Sequence, residues 1–127
     1  QLIYLQDLVP TVYDLVGIKK PNHLEFISQI NALKSSKASS HRKAIYSAYL
    51  QEAQRMVTDG HYKLFFIPAS KDAYLFDLEK DPQETNNLFG SPQYKRIVKR
   101  LCAEYQKLSK ESGDTFNLAA IYPELFQ

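Results

Sequence analysis

Tryptophan is absent from this 127-residue sequence, cysteine and methionine occur once each, and glycine appears four times. Cys102 has no partner within the chain, so no intramolecular disulfide can brace the fold, and the redox compartment stays open. No apolar run approaches the roughly 18 residues that a membrane-spanning helix needs. The opening, QLIYLQD, carries neither a charged-then-apolar signal pattern nor an initiator methionine; it reads as a mostly apolar piece cut from something larger. A surplus of one charge is missing too. Sixteen basic residues against fourteen acidic leave +2, short of the pronounced basic excess of a dedicated nucleic-acid binder.

What is present is apolar and aromatic. Hydrophobic residues make up 44% of the chain, with nine Tyr and seven Phe, which excludes general disorder. The length suits one domain with a real core.

Residues 7–17 predict a short helix, with Asp7 as N-cap, Pro10 in the tolerant first turn and Gly17 as the left-handed stop. Leu8, Val9, Val12, Tyr13, Leu15 and Val16 cover more than one stripe, so such a helix needs neighbours on several sides. Leu24, Ile27, Ile30 and Leu33 repeat at helical spacing, and KSSKASS follows as a polar linker. The period then changes to that of strands: AIYSAYL (44–50), QRMVTD (54–59), YKLFFIP (62–68) and AYLFDL (73–78). Asp59-Gly60 marks a hairpin. Tyr62, Leu64 and Phe66 should share one face, with Lys63, Phe65 and Ile67 on the other. Ser91-Pro92 opens a long helix with an apolar stripe of Tyr94, Ile97, Leu101, Tyr105 and Leu108, and Gly113 ends it. Its Lys and Arg residues form a basic face, read as solvated rather than as a polyanion surface. The expected fold is α+β: a small antiparallel sheet of about four strands on a long C-terminal helix, preceded by one or two helices.

The stretch YLFDLEKDPQETNNLFG (74–90) concentrates acidic side chains at Asp77, Glu79, Asp81 and Glu84. It imitates the first half of a calcium-binding EF-hand loop, but Pro82 stands where the sharp turn needs Gly, and Leu88 where a bidentate Glu is due. Asp81-Pro82-Gln83-Glu84 instead fits a capping box opening one helical turn. Asn86 and Asn87 would supply the left-handed geometry that ends it, letting Leu88 and Phe89 drop into the core.

YLFDLEKDPQETNNL also resembles the "elYDLekDPxEtxNL" signature near the C-terminus of sulfatases, in the alkaline-phosphatase-like superfamily. LQDLVPTVYDLVGI (5–18) is similar to that family's SLTDLVPTLLDLAGI-like segments. The run from His41-Arg42 through Gln54-Arg55-Met56 to His61-Tyr62-Lys63-Leu64 resembles its "HR…QRMvrdgryKL" run. The likeness covers about residues 5 to 114, in order. It implies the last helix of an absent catalytic domain at 1–18, a helix and polar linker at 19–42, a C-terminal subdomain at 43–114 and a tail at 115–127.

In that family the nucleophile is a formylglycine made from the Cys or Ser of a C/S-x-P/A-x-R motif. Around Cys102, Glu104 stands in place of Pro or Ala and Gln106 in place of Arg, so Cys102 is a helix residue and no catalytic residue is expected here. The metal ligands belong to the larger preceding domain, and none is expected here. Calcium and formylglycine are implied only for the parent enzyme, which the resemblance makes periplasmic, secreted or lysosomal. The implied partners are the N-terminal catalytic domain and a sulfated small molecule or glycan, with no nucleic acid and no membrane span. His41, Arg42, Gln54, Arg55, His61 and Lys63 are candidate substrate contacts, because cations and amide donors suit sulfate. The competing view makes Arg55 and Lys63 ion-pair partners and His61 a turn residue. Asp77, Asp81, Pro82, Glu84 and Asn87 are expected to be structural. Tyr46, Tyr49, Tyr62, Phe65, Phe66, Tyr74 and Phe76 are core aromatics in preference to a sugar-stacking platform. The expected function is an accessory subdomain of a sulfuric ester hydrolase, inactive alone. The alternatives are a related phosphonate or phosphodiester hydrolase, or a stand-alone module binding a polyanion or sulfated glycan.

Overall fold

Alternation of side chains along an extended chain sends residues i and i+2 to one face, and four such segments pair here. In the computed structural model, which describes residues 1–35 and 37–126, β1 (Ile45–Tyr49), β2 (Gln54–Thr58), β3 (Tyr62–Ile67) and β4 (Asp72–Asp77) follow one another as an antiparallel meander. The register sets Tyr46 opposite Val57, Val57 opposite Leu64, and Leu64 opposite Leu75. This row lies under α3 (Lys95–Glu111). Leu64, Phe66, Leu75 and Leu101 are fully buried in the layer between sheet and helix; each contributes about 1.5–3 kcal/mol of burial.

The chain divides into two compact units, Gln1–Lys43 and Ala44–Gln127. In the first, a 3-10 turn (Leu5–Asp7) runs into α1 (Leu8–Leu15), and α2 is the five residues Ile30–Lys34. Gly17, at φ +71°, closes α1: Gly17 N–H donates to Asp14 O and Ile18 N–H to Tyr13 O, the paired bonds of a Schellman motif. The helix expected from the spacing of Leu24, Ile27, Ile30 and Leu33 is shorter than predicted. Ile27 N–H and Gln29 N–H donate to side-chain oxygens of Asp7 and Thr11 at 3.1 and 2.8 Å, which takes them out of a helical ladder. The expected linker includes position 36, outside the described residues.

α1 buries Pro10 and Thr11, with Asp7 just ahead of it, and turns most of its large apolar side chains outward. Asp7 and Thr11 are buried, while Leu8, Val12, Leu15 and Val16 are 52–60% exposed. A globular helix has the opposite arrangement.

In the second unit, Ser91 precedes the long helix but its hydroxyl forms no cap; Tyr94 N–H donates to Ser91 O, and a 3-10 turn at Pro92–Tyr94 starts α3. The buried stripe is Val98, Leu101, Cys102, Tyr105 and Ser109, rotated from the expected one, with Ile97 and Leu108 at its margin. Residues after Gly113 are no loose tail. α4 (Leu118–Ile121) and a turn at Pro123–Leu125 bring Leu118 and Tyr122 into the core, at 1% and 4% exposed. Tyr122 O–H donates to Asp72 O and Ile67 O. The last residue, 127, lies outside the described residues.

The aromatics split between faces. Tyr46 and Phe66 pack on Tyr105 under α3. Phe65, Tyr74 and Phe76 line the opposite side of the sheet, with centroids 6.1 Å apart from ring to ring. Tyr49 is 61% exposed and belongs to no core.

Candidate functional site

The candidate substrate contacts do not form one constellation, and each is placed by its own local chemistry. In the first unit, Arg42 donates to both carboxylate oxygens of Asp7, at 2.6 and 2.8 Å, and its guanidinium lies 4.9 Å from the Tyr4 ring centroid. Asp7, 1% exposed, also accepts from Tyr4 N–H and Ile27 N–H. Burial pushes the Asp7 carboxyl up; the Arg42 guanidinium and the two backbone donors outweigh that and hold it below 3.8. One carboxylate therefore ties residues 4, 27 and 42 together. His41, next to the tethered arginine, is exposed.

In the second unit, Arg55 is 3% exposed. Its Nε and one Nη donate to Asp114 at 2.7 and 3.2 Å, while Leu50 O, Gln54 O and Gln51 O accept the other three N–H bonds. All five donors are used inside the fold, so Arg55 is not presented to a ligand. Its lattice pins the β1–β2 loop, in which Leu50 sits at φ +51°. Tyr46 O–H donates to the same Asp114 carboxylate, and the guanidinium packs 4.6 Å from the Phe116 ring centroid. Asp114 is kept ionised below 3.8: burial opposes this, and the Arg55 and Tyr46 hydrogen bonds overcome it. Gln54 is half-buried on the opposite face of β2.

The hairpin between β2 and β3 is closed by Asp59, whose Oδ1 accepts from His61 N–H and Tyr62 N–H while Oδ2 accepts from Arg100 at 2.6 Å. Gly60 supplies φ +90°, as an Asp-Gly turn requires. His61 is therefore a turn residue. Its ring stacks on Tyr62, and its Nε2 lies 3.2 Å from Asp77 Oδ1 and 3.6 Å from Glu79 Oε2. Lys63 reaches Glu84 at 2.6 Å.

The acidic corner is real, but its mechanism is not the expected capping box. Glu84 N–H donates to Asp81 O in a turn, and Glu84 itself takes the left-handed backbone at φ +56°. Its carboxylate meets Lys63 and does not reach back. Asp81 accepts instead from Asn86 N–H and Thr85 O–H, so no helical turn forms and Asn86 and Asn87 need no positive φ. Pro82 is exposed within this turn. Asn87 carries a different task. Its Oδ1 accepts from Leu75 N–H and Phe89 N–H, and its Nδ2 donates to Ala73 O, while Leu88 N–H donates to Leu75 O. An amide side chain thus seals the edge of β4, which otherwise offers unpaired backbone groups. Leu88 and Phe89 pack on the core as expected.

Two acids of this corner, Asp77 and Asp81, are taken up by backbone N–H groups, while Glu84 meets Lys63 and Glu79 lies near His61. Asp77 Oδ1 accepts from Glu79 N–H and Lys80 N–H. Among the described residues, no three His, Cys, Asp or Glu side chains converge to hold a metal ion, so the calcium implied for a parent enzyme finds no fitting ligand set here. Cys102 is buried, and burial lifts its thiol to about 12, the reverse of an activated nucleophile. Sequence reasoning missed Asp114, Asp59 and Arg100 as partners, and took Asp7 for a helix cap. The available signal was that each acid stands at a predicted turn or helix end.

A family model described as "N-sulphoglucosamine sulphohydrolase, C-terminal" matches residues 1–111. An uncharacterized protein of Haemophilus influenzae is 33% identical over 117 residues, covering 89% of this chain and 59% of that one. A Delta 4,5-hexuronate-2-O-sulfatase of Bacteroides thetaiotaomicron is 31% identical over 114 residues, covering 83% of this chain and 24% of that one. The solved structure of a 2-O GAG sulfatase superposes with a TM-score of 0.69 at 30% identity, covering 85% of this chain and 25% of that one. This chain thus corresponds to a small part of the sulfatases it matches. With a family model spanning nearly its whole length and the same four-stranded sheet under one long helix, the chain belongs to the C-terminal domain family of N-sulphoglucosamine sulphohydrolase, a sulfatase domain.

Proposed function

We propose that this domain completes the fold of a sulfuric ester hydrolase and forms one wall of its substrate pocket, without hydrolysing esters itself. The observation that carries this reading is the reversed α1. Leu8, Val12, Leu15 and Val16 face outward at 52–60% exposure while Asp7 and Thr11 are buried. A contiguous apolar face on a short helix marks a surface made to be covered, and the matched sulfatases are about four times longer than the part this chain covers. In the parent, the resemblance implies a formylglycine nucleophile and a calcium ion that stabilises sulfate oxygens, both held outside these residues. His41 in the first unit is proposed to face a sulfated substrate, and so, independently, is His61 in the second, whereas Lys63 is already paired with Glu84. Arg42, bonded to both oxygens of Asp7, and Arg55, with all five donors taken up, serve as scaffold, each within its own unit.

The test uses the 127-residue chain and the full-length parent side by side. The isolated chain is expected to bind a hydrophobic dye, with Val12→Lys together with Leu15→Lys reducing that signal and leaving the melting temperature within a few degrees. It is expected to release no sulfate from 4-nitrophenyl sulfate, whereas the parent does. Sulfate release by the chain alone, or a dye-silent chain, would overturn the reading.

A further inference from the structure

The start of α3, the corner before it and the turn at Pro123–Leu125 enclose a cleft of about 600 Å³, within the range that holds a small molecule. Phe89, Val98 and Leu125 make its floor apolar. Its rim carries both signs of charge. Lys95 and Lys99 stand one helical turn apart on α3, and Glu124 comes from the C-terminal wall. Among the described residues, none of these three meets an opposite charge within ion-pair distance, so the cleft keeps its cations and its carboxylate apart. Ser91 also lines it, with a hydroxyl that forms no cap. Both walls are tied down. Gly90 turns the corner at φ +86°, and Ser91 N–H donates to Leu88 O. On the other wall, Tyr122 O–H donates to Ile67 O and Asp72 O, and Leu125 N–H donates to Tyr122 O. Burial, and then the Glu124 charge, lifts the Cys102 thiol, which sets this carboxylate close to α3.

We infer that this cleft binds a small zwitterion with apolar side chains, the size of a dipeptide. Its carboxylate sits between Lys95 and Lys99, its ammonium on Glu124, and its side chains on the floor. Three features select that class. The floor rewards burial of hydrocarbon, which a sugar or a polyphosphate does not carry. Glu124 repels a simple anion and the lysines repel a simple cation, whereas a molecule bearing both charges offsets both parts of the rim. Charges held beyond ion-pair distance suit termini separated by a peptide bond better than the adjacent charges of one amino acid. The dipole at the start of α3 adds to the attraction for the carboxylate. The inference stands apart from the hydrolase reading, since it needs neither a second domain nor a catalytic centre.

The experiment follows backbone amide shifts of the isotope-labelled 127-residue chain as leucylphenylalanine is added to about 10 mM, enough to fill most of a millimolar site. Saturable shifts are expected at Gly90, Ser91, Lys99 and Leu125. The N-acetyl derivative lacks the ammonium and the C-terminal amide lacks the carboxylate; each is expected to bind about tenfold more weakly or worse, as the loss of one charge-assisted contact. Diglycine, which has both charges and no side chains, should leave the spectrum unmoved. Glu124→Gln should weaken the dipeptide about tenfold and leave the N-acetyl derivative unaffected. Lys95→Gln with Lys99→Gln should weaken the dipeptide and leave the amide unaffected. These three side chains are exposed, and circular dichroism establishes that the variants remain folded. Absence of shifts around the cleft would overturn the inference, as would dipeptide binding unchanged by Glu124→Gln. An N-acetyl derivative that binds as tightly as the free dipeptide would overturn it too, reducing the cleft to an anion site.

Discussion

Arg55 and Asp114 meet inside the second unit, one from the start of β2 and the other three residues past the end of α3, joined by N···O distances of 2.7 and 3.2 Å. Gly113, at φ +75°, sets this up. Its N–H donates to Lys110 O, and Asp114 N–H donates to Ser109 O, so a Schellman motif delivers the carboxylate to the guanidinium. Removing one partner of a buried pair leaves the other uncompensated. Asp114→Ala is expected to destabilise the chain by about 3–5 kcal/mol, read from urea unfolding. Arg55→Ala should cost a similar amount, and the double variant less than the sum of the two. Additive costs would show that the pair is not coupled.

Stability should depend on pH at both extremes. The carboxyls of Asp7, Asp59 and Asp114 are held below their ordinary value of 3.8 in the folded chain. A depressed folded value stabilises above the unfolded value and is lost as pH falls through the folded one. Tyr105 and Tyr122 are pushed up by burial to about 12, so their contribution is present below the unfolded value near 10 and lost on alkaline titration. Melting temperature should therefore hold a plateau from about pH 5 to 10 and fall outside it. Asp114→Asn should lower the plateau and flatten the acid limb.

At the corner, two substitutions separate edge sealing from turn formation. Asn87→Ala strips the partner from Leu75 N–H and Ala73 O on β4, and should cost about 1–3 kcal/mol as lost and unsatisfied hydrogen bonds. Asp81→Ala removes exposed bonds to Asn86 and Thr85 and should cost about 1 kcal/mol. Neither change should alter the response to calcium. Hydrogen exchange at Leu75 should rise in the Asn87 variant alone.

Lys71, exposed at φ +58°, ends the turn between β3 and β4. Glycine adopts that backbone without the Cβ clash. Lys71→Gly is expected to stabilise by about 0.5–1 kcal/mol, against the usual sign for a glycine substitution. A lower urea midpoint would contradict this.

Cys102 is 2% exposed, with its thiol raised to about 12. Under native conditions near pH 8 it should resist a disulfide-exchange reagent for hours, and react at one equivalent on unfolding. Fast native labelling would mean that α3 opens locally.

The strands were legible because their cues were local: Tyr62-Lys63-Leu64-Phe65-Phe66-Ile67 alternates faces whatever lies around it, and Asp59-Gly60 names its own turn. Gly17 and Gly113 were legible as helix stops for the same reason. What sequence could not reveal depended on partners far along the chain. Asp81 and Glu84 have capping-box spacing, but Lys63, twenty-one residues earlier, draws Glu84 away. The helix around Leu24 failed because Asp7 and Thr11 took its N–H groups. Leu118 and Tyr122 gave too brief a pattern to distinguish a docked segment from a tail. Among the candidate substrate contacts, chemistry alone suggested Arg55, and only the count of its internal acceptors makes it scaffold.

The Schellman stop at Gly113 also makes α3 a gauge of fixed length. Inserting or deleting one residue between Leu101 and Gly113 would swing Asp114 by about 100° around the axis and slide it about 1.5 Å, out of reach of a guanidinium whose remaining donors are fastened to a loop. Related chains should therefore vary freely in residue type along the outer side of this helix, yet resist any change in its number of residues.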